Sequence, residues 1–185
     1  MPTETTEEVL IEHARRGEEH ALEAIYRRHS GRLFTLAFYS LGSRSAAEDA
    51  VQTIFARAFA SIDRFEGASS LSTWLTRIAM NHVTDELRRR RVAYVPLESI
   101  LGGDEEVSAE ASPEERHAAQ QTEVIVARAL QELPPKLRTA VVLRYIDNLS
   151  YQEIAAVLGV SVGTVSSRLN RALAQLEPIL RPLRA

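Results

Sequence analysis

The sequence has no cysteine, so it can form no disulfide bond and no zinc site built on thiolates. No apolar run approaches the roughly 20 residues that a membrane-spanning helix needs. The acidic start, MPTETTEEVL, also lacks the apolar core of a signal peptide. The five histidines show no HExxH or comparable spacing, which favours ordinary surface or core roles. These absences predict a cytoplasmic protein with no membrane insertion, no metal ion and no cofactor.

The sequence also carries no signature of an enzyme, because it shows no nucleophile–base pair, no metal-ligand spacing and no phosphate-binding loop. What it does have is 45% hydrophobic residues in 185, enough to build a core. There is no internal repeat and no strand pattern, whereas helical spacing of apolar residues is widespread. The fold class predicted is all-α, with amino-terminal helices over residues 7–17, 19–42, 45–65 and 71–91.

Residues 150–173, SYQEIAAVLGVSVGTVSSRLNRAL, predict two short helices that meet at a tight corner. Ser150 and Glu153 form a capping-box pattern for the start of the first helix. Gly159 suits the left-handed conformation that ends it, and Ser161 can cap the second helix. The coincidence of these signals favours a helix-turn-helix over an ordinary helical hairpin.

The second helix of this corner carries one apolar face, formed by Val165, Leu169, Ala172 and Leu176. Away from that face lie small polar and basic side chains, with Arg168 on the flank: Thr164, Ser167, Arg168, Asn170 and Arg171. Such a face suits insertion into the major groove of DNA. A hairpin helix with a solvated face is the alternative.

The net charge of −3 hides a segmental pattern. Residues 31–92 and 123–185 each carry a net charge of +3, whereas residues 93–122 hold seven acidic side chains and one basic one. Two basic blocks therefore flank an acidic segment, and the overall charge describes neither candidate nucleic-acid surface. The acidic segment contains Pro96 and Gly102–Gly103, so it predicts a flexible linker between two units without a fixed mutual orientation.

The helix predicted over residues 71–91 has a polar stripe opposite its apolar face. Arg77, Asn81, Thr84 and Arg88 recur at i, i+4, i+7 and i+11, and the stripe continues into four consecutive arginines, Arg88–Arg91. Taken alone, this pattern favours a solvated helix whose basic end complements the helix dipole.

Two longer blocks carry a resemblance to a known family. The block AAEDAVQTIFARAFASIDRFEGASSLSTWLTRIAMNHVTDELRRRR resembles region 2 of the extracytoplasmic-function (ECF) sigma factors of the bacterial sigma-70 family. LPPKLRTAVVLRYIDNLSYQEIAAVLGVSVGTVSSRLNRALAQL resembles region 4 of the same group. With the preceding helices, the similarity covers about residues 8–92 and 123–183. The two blocks lie in the family's order, which makes the pair far more specific than either block alone.

The resemblance implies an all-α protein of two small helical domains, namely a region 2 helical bundle in residues 1–92 and a region 4 helix-turn-helix in residues 123–185. Residues 93–122 are then the flexible acidic linker that threads the polymerase cleft. Such proteins bind core RNA polymerase, direct it to promoters and help to open the DNA, without catalysis of their own. The partners implied are core polymerase, duplex and single-stranded promoter DNA, and an anti-sigma factor.

The resemblance also assigns residues by position. Region 2 would take up the single-stranded promoter element nearer the start site with its loop and its polar stripe: Phe65, Gly67, Ser69, Ser70, Arg77, Asn81, Thr84 and Arg88. Trp74 is expected in the core rather than as a stacking platform. Region 4 would read the upstream duplex element with the polar face of its second helix, residues 164–171. Asp49 and Gln52 match exposed polymerase contacts, whereas Val51 and Phe55 match core positions.

Four positions depart from the family pattern. Thr53 stands where a glutamate is usual, and Met80 stands where a basic residue is frequent. Ser166 and Leu173 replace basic residues on the second helix of the corner, which predicts fewer phosphate contacts and a shallower salt dependence of duplex binding. A stand-alone helix-turn-helix regulator is the alternative function, and it would explain region 4 without explaining region 2.

Overall fold

The computed structural model describes the backbone of residues 7–92 and 113–181, and the side chains of residues 7–89 and 122–181. Within these ranges the chain forms eight α-helices and no strand, which confirms the all-α prediction. Most of the predicted linker lies outside the described residues. The helices are α1 Glu7–Arg15, α2 Glu19–Leu41, α3 Arg44–Ala60, α4 Leu71–Val92, α5 Pro113–Gln131, α6 Pro135–Val141, α7 Tyr151–Leu158 and α8 Val162–Leu180.

The first four helices form what we call the N-terminal unit, residues 7–92. α2 packs along α3, α4 lies against both, and α1 covers one side of α2. A single 3-10 turn, Ile62–Arg64, joins α3 to the loop before α4. Most side chains buried between these helices are apolar, including Ile25, Leu33, Leu36, Ile54 and Leu75. Their burial supplies the main favourable free energy that holds the bundle together.

α3 begins one residue earlier than the sequence predicts. The pair Ser45 and Glu48 looks like a capping box, but Ser43 is the N-cap, and its side chain accepts a hydrogen bond from the Ala46 amide. The Glu48 carboxylate instead pairs with Arg44 one turn earlier, at 3.2 Å. Ser43 can cap because α2 has already ended at Gly42, which adopts the left-handed conformation at φ 69°.

The remaining helices form the C-terminal unit, residues 113–181. α5 begins at Pro113, inside the predicted linker, where a proline at the first helical position costs no hydrogen bond. α6 runs into a π-helical segment, Val142–Ile146, and α8 packs on α5, α6 and α7. The apolar stripe of α8 predicted from the sequence is buried at every position: Val165, Leu169, Ala172 and Leu176.

The two units meet at the carboxyl end of α2, whose last carbonyl groups have no partner within the helix. The Gln131 side chain donates to the Tyr39 carbonyl at 3.1 Å, and the Arg138 guanidinium donates to the Ser40 carbonyl at 2.7 Å. A cation at this helix end is also favoured by the helix dipole. Two features require a glycine at position 42. A Cβ there would lie 2.4 Å from the Gln131 side chain, and any other residue would be strained at the positive φ.

A second contact between the units is an ion pair. The Arg32 guanidinium of α2 donates two hydrogen bonds to the Asp147 carboxylate, which lies just after the π-helical segment. Arg32 also donates to the Thr76 hydroxyl of α4 at 2.8 Å and to the Ser72 carbonyl at 3.4 Å. The Asp147 side chain is 2% exposed, so this pair is largely withdrawn from water.

The structure therefore differs from the expectation of two units without a fixed mutual orientation. The charged and polar groups that join the units lie far apart in sequence, as with Arg32 and Asp147, and neither belongs to a local pattern. α7 also packs against α4, and α5 against α2. Among residues 7–92 and 113–181, no helix is long and apolar enough to cross a membrane.

Candidate nucleic-acid interface

The corner between α7 and α8 has the geometry that the sequence predicts. Ser150 and Glu153 form a complete capping box, with the Ser150 amide donating to the Glu153 carboxylate at 2.7 Å. Gly159 ends α7 in the left-handed conformation, at φ 63°. Ser161 then caps α8 by accepting a hydrogen bond from the Thr164 amide at 3.2 Å. Local hydrogen bonds thus fix the angle at which α8 leaves the corner.

The polar face of α8 is open to solvent at its amino-terminal half. Asn170 and Arg171 are exposed, and Thr164, Ser167 and Arg168 are partly exposed. Arg171 donates to the Ser167 hydroxyl at 2.7 Å, so its guanidinium lies along the helix rather than against a carboxylate. Hydroxyl, amide and guanidinium groups on one exposed helix face match the donors and acceptors of base edges in the major groove.

The polar stripe of α4 is also open to solvent. Arg77, Asn81, Thr84 and Arg88 are all exposed, as the sequence predicts. The Arg88 guanidinium lies 3.3 Å from the Asp85 carboxylate, an exposed pair that solvent screens. Burial lowers the pKa of His82, which lies beside this stripe, with Arg57 adding to the effect. The His82 imidazole is therefore neutral near pH 7 and adds no positive charge.

The loop before α4 is only partly available to a nucleic acid. Gly67 and Ser70 are exposed and Ser69 is partly exposed, with Gly67 at a positive φ of 72°. Phe65, however, is 6% exposed, and its ring packs 5.4 Å from the Trp74 ring. Its carbonyl group accepts a hydrogen bond from the Arg15 guanidinium of α1. The structure thus places the Phe65 side chain in the core, where its contact with Trp74 anchors the loop to α4.

Ser70 is exposed, and it also has a structural role at the start of α4. Its hydroxyl accepts from the Thr73 amide at 3.1 Å and lies 2.9 Å from the Thr73 hydroxyl, so it caps α4. Trp74 is partly buried and packs against the core, which confirms the expectation that it is not a free stacking platform. The exposed surface left for a nucleic acid is therefore the loop residues 67–70 and the stripe of α4.

The positions matched to polymerase contacts lie on α3. Asp49 and Gln52 are exposed, whereas Val51 and Phe55 are buried as predicted. Gln52 lines a shallow groove between α2 and α3, together with Tyr26 and Phe34 of α2. Tyr26 is exposed despite its size, so the groove offers an apolar floor with polar edges. That composition is typical of a protein-binding surface rather than a nucleic-acid-binding one.

A second groove was not predicted from the sequence. An apolar groove in the C-terminal unit runs between α5, the π-helical segment and α8, and Val126, Tyr145, Leu173 and Leu180 are among the residues that line it. Tyr145 and Leu173 are 51% and 42% exposed. The one sequence feature that pointed to this groove was Leu173, an apolar residue where the family has a basic one. The groove itself forms only where α5, the π-helical segment and α8 pack together.

The other departures from the family pattern also have a structural setting. Met80 is 2% exposed and lies one helical turn after Thr76 on α4, so it is part of the core. The Thr53 hydroxyl donates to the Asp49 carbonyl of its own helix at 3.0 Å. Ser166 is partly exposed on α8. None of these side chains supplies the charge that the family pattern has there.

The two arginines at the junction between the units, Arg32 and Arg138, differ in the groups that surround them. Burial lowers the pKa of Arg138 to about 10, against the opposing effect of the Glu132 carboxylate. The hydrogen-bond acceptors of Arg138 are carbonyl groups and an amide. Burial also raises the pKa of Asp147, against the opposing effect of the Arg32 guanidinium. Arg32 therefore pairs with a carboxylate, whereas Arg138 donates hydrogen bonds to backbone carbonyl groups at the end of α2 and between α5 and α6.

Comparison with protein families agrees with both halves of this geometry. Residues 25–92 match the model of Sigma-70 region 2, and residues 123–176 match the model of Sigma-70 region 4. The ECF RNA polymerase sigma-E factor of Escherichia coli K12 is 33% identical over 192 residues, which cover 99% of this chain and 98% of that protein.

Two solved structures are similar over most of the chain. CnrH in complex with the cytosolic domain of CnrY has a TM-score of 0.70 at 28% identity, covering 94% of this chain and 96% of that one. The sigma factor RpoE of Bartonella quintana, in complex with the anti-sigma factor NepR, has a TM-score of 0.67 at 26% identity over 86% and 96%. With both regions present, in order and over nearly the full length, the chain belongs to the ECF group of the sigma-70 family of RNA polymerase sigma factors.

Proposed function

We propose that this sigma factor divides its work between two surfaces, with α8 reading duplex DNA and α4 and its preceding loop holding unpaired DNA. As a sigma factor, the chain directs core RNA polymerase to specific promoters and initiates transcription. The observation that carries the division is the presence of two exposed polar helix faces in separate units, each with its own helix cap. Residues 1–92 are then region 2 and residues 123–185 region 4.

The upstream promoter element is assigned to Thr164, Ser167, Arg168, Asn170 and Arg171. The two arginines on this face suit bidentate contact with guanine, and Asn170 suits adenine. Ser166 and Leu173 remove two cationic phosphate contacts, so the free protein binds duplex DNA weakly and with a shallow salt dependence. Weak binding fits a protein that core polymerase holds in place on the promoter.

The downstream element is assigned to the loop Gly67–Ser70 and to Arg77, Asn81, Thr84 and Arg88. A short glycine- and serine-containing loop lets backbone groups approach the edge of a flipped base. The α4 stripe supplies donors for the strand that follows. Phe65 supports this site from the core, because its side chain is buried.

Polymerase binding is assigned to the two grooves. Gln52 lines the groove between α2 and α3, and Asp49 is exposed on the same helix, which suits helices of the largest polymerase subunit. The apolar groove around Tyr145 and Leu173 suits an apolar helix of the polymerase flap. The acidic linker, residues 93–122, suits the positively charged cleft that later holds RNA.

The chain acts in the cytoplasm, where its polymerase acts, and performs no catalysis of its own, like the sigma factors it resembles. An anti-sigma factor is the expected inhibitor, because both similar solved structures are complexes with a protein partner, and one of those partners is named as an anti-sigma factor. Both grooves lie open in the present structure and are available to such a partner.

Run-off transcription with purified core polymerase on genomic fragments tests the proposal. We expect defined transcripts that require this chain, and we expect the chain to be retained by immobilised core polymerase. A stand-alone helix-turn-helix regulator would bind duplex DNA, ignore core polymerase and direct no transcript. That outcome would replace the proposed function by the alternative.

A further inference from the structure

The turn between α1 and α2 brings two histidines and a glutamate together. His13 Nδ1 lies 2.7 Å from Glu18 Oε2, and His20 Nε2 lies 3.7 Å from the same oxygen. All three candidate ligand atoms lie within 4.8 Å of one another. The two imidazole rings also lie edge to face, with centroids 5.5 Å apart, so both rings converge on the same carboxylate oxygen.

The backbone holds these three residues in place without help from their side chains. Gly17 adopts a positive φ of 75°, and the Glu18 amide donates to the His13 carbonyl at 3.1 Å. The Gly17 amide donates to the Ala14 carbonyl at 3.0 Å, which completes a Schellman motif. Glu18 is also the N-cap of α2, so His20 lies in the first turn of that helix. Only side-chain rotations remain to be fixed when a ligand binds.

Two imidazoles and one carboxylate form a ligand set that Zn²⁺ and similar divalent ions accept. With metal–ligand bonds of about 2.0–2.1 Å, a tetrahedral centre separates neighbouring ligand atoms by about 3.3 Å. The two distances to Glu18 Oε2 bracket that value. We propose that His13, Glu18 and His20 bind one Zn²⁺-type divalent ion, which bridges α1 to α2 and keeps a water molecule as its fourth ligand.

The site joins a peripheral helix to the rest of the N-terminal unit. α1 packs on α2 and on the 3-10 turn, and its Arg15 donates to the Phe65 carbonyl at the base of the loop before α4. An ion that ties α1 to α2 reduces local opening of α1. The sequence alone favours no metal site because the spacing, His-x4-Glu-x-His, follows neither the period of a helix nor that of a strand, and works only across this turn.

Calorimetric titration of Zn²⁺ into the full-length, tag-free apoprotein tests the proposal. We expect one ion per chain with micromolar or tighter affinity. His20→Asn and Glu18→Gln each weaken binding at least about tenfold by removing one ligand. Glu19→Gln is the matched control, since Glu19 is an exposed neighbouring carboxylate outside the cluster and its loss leaves binding unchanged. His20 is largely exposed, so its substitution does not disturb the core.

Hydrogen exchange supplies a readout of where the ion binds. With saturating Zn²⁺, the amides of α1 exchange more slowly in the parent protein, and this protection is absent in His20→Asn. No saturable binding up to about 100 µM Zn²⁺, a free energy weaker than about 5.5 kcal/mol, overturns the proposal. Equal affinity of His20→Asn and the parent, or binding without protection of α1, also overturns it, because the ion then lies elsewhere.

Discussion

α4 and α8 begin in the same way and are then held differently. Ser70 caps α4 through the Thr73 amide, and Ser161 caps α8 through the Thr164 amide, at 3.1 and 3.2 Å. In each pair the two hydroxyl oxygens lie 2.9 Å apart. The two helices share the same cap, so the different roles proposed for them cannot come from how they begin.

The difference lies in how many neighbours cover each helix. α4 packs against α2 and α3 of its own unit and against α6 and α7 of the other, which leaves a narrow exposed stripe beside a loop. Among the described residues, α8 packs mainly on its own unit, against α5, α6 and α7, and its polar face is exposed. A projecting face can enter a major groove, whereas a narrow stripe suits a strand laid along it. The proposed division of work follows this difference in how far neighbouring helices cover α4 and α8.

The largest expected effect removes the donor that joins the end of α2 to the C-terminal unit. Arg138→Met leaves the Ser40, Gln131 and Leu133 carbonyls without their donor. We expect the free energy of unfolding to fall by about 2–4 kcal/mol, because several buried acceptors lose their hydrogen bonds together. Chemical denaturation measures this loss. Arg128→Met, at an exposed position of α5, is the matched control and leaves the stability within about 0.5 kcal/mol.

Separating the two units is the next test. Asp147→Ala leaves the Arg32 guanidinium without its carboxylate, and we expect the packing of α7 on α4 to weaken by about 1–3 kcal/mol. The radius of gyration then rises in small-angle scattering, and amides of α4 exchange faster while those of α8 do not. Asp63→Ala, an exposed acidic control, changes neither. An unchanged radius in Asp147→Ala would mean that apolar packing alone holds the units together.

Duplex recognition tests the projecting face. Arg171→Ala weakens recognition of the upstream element by about 1–3 kcal/mol if its guanidinium meets a base edge, and binding of core polymerase survives. Promoter binding by the reconstituted holoenzyme measures the effect. Arg181→Ala, at the exposed far end of α8, is the matched control and has little effect. Equal losses in the two variants would assign the effect to general charge instead.

The narrow stripe makes a smaller contribution for each residue. Asn81→Ala slows promoter opening by roughly two- to tenfold, the factor that corresponds to one lost hydrogen bond of about 0.5–1.5 kcal/mol. Permanganate reactivity of unpaired thymines follows the opening. Asn81 is exposed, so the helix stays folded and its circular dichroism is unchanged. Normal opening by this variant would return Asn81 to the role of a solvated residue.

The smallest expected effect concerns the corner itself. Hydrogen bonds from the Ser150 side chain and backbone lower the pKa of Glu153. A carboxyl with a lowered folded-state pKa adds stability above its ordinary pKa and loses it as the pH falls through the lowered value. Glu153→Gln therefore costs about 0.3–1 kcal/mol at pH 7, as is typical of an anion at a helix start. Thermal unfolding at pH 7 and at acid pH shows the difference shrinking; a constant difference would contradict the assignment.

Local features of these helices were predictable from the sequence. The apolar stripe of α8, the capping box at Ser150 and the left-handed Gly159 all depend on residues within two turns of one another. The exposed stripe of α4 followed from its period in the same way. Such features need no knowledge of what the helix packs against.

Features that join distant segments were not predictable. Arg32 and Asp147 are ordinary charged residues until the fold places them together. The sequence predicts Phe65 in an exposed loop, yet its ring packs against Trp74 and its carbonyl group accepts a hydrogen bond from Arg15. The first helix of the C-terminal unit begins at Pro113, within a segment whose acidic composition had favoured a linker.

The division of work between α8 and α4 is tested most directly on a promoter whose transcription bubble is already unpaired by mismatches. Transcription from this template is compared with that from the matched duplex for Arg171→Ala and Asn81→Ala. We predict that the unpaired template restores activity to Asn81→Ala, because strand separation is no longer required, and leaves the defect of Arg171→Ala in place. Restoration of both variants, or of Arg171→Ala alone, would contradict the assignment of duplex reading to α8 and strand opening to α4.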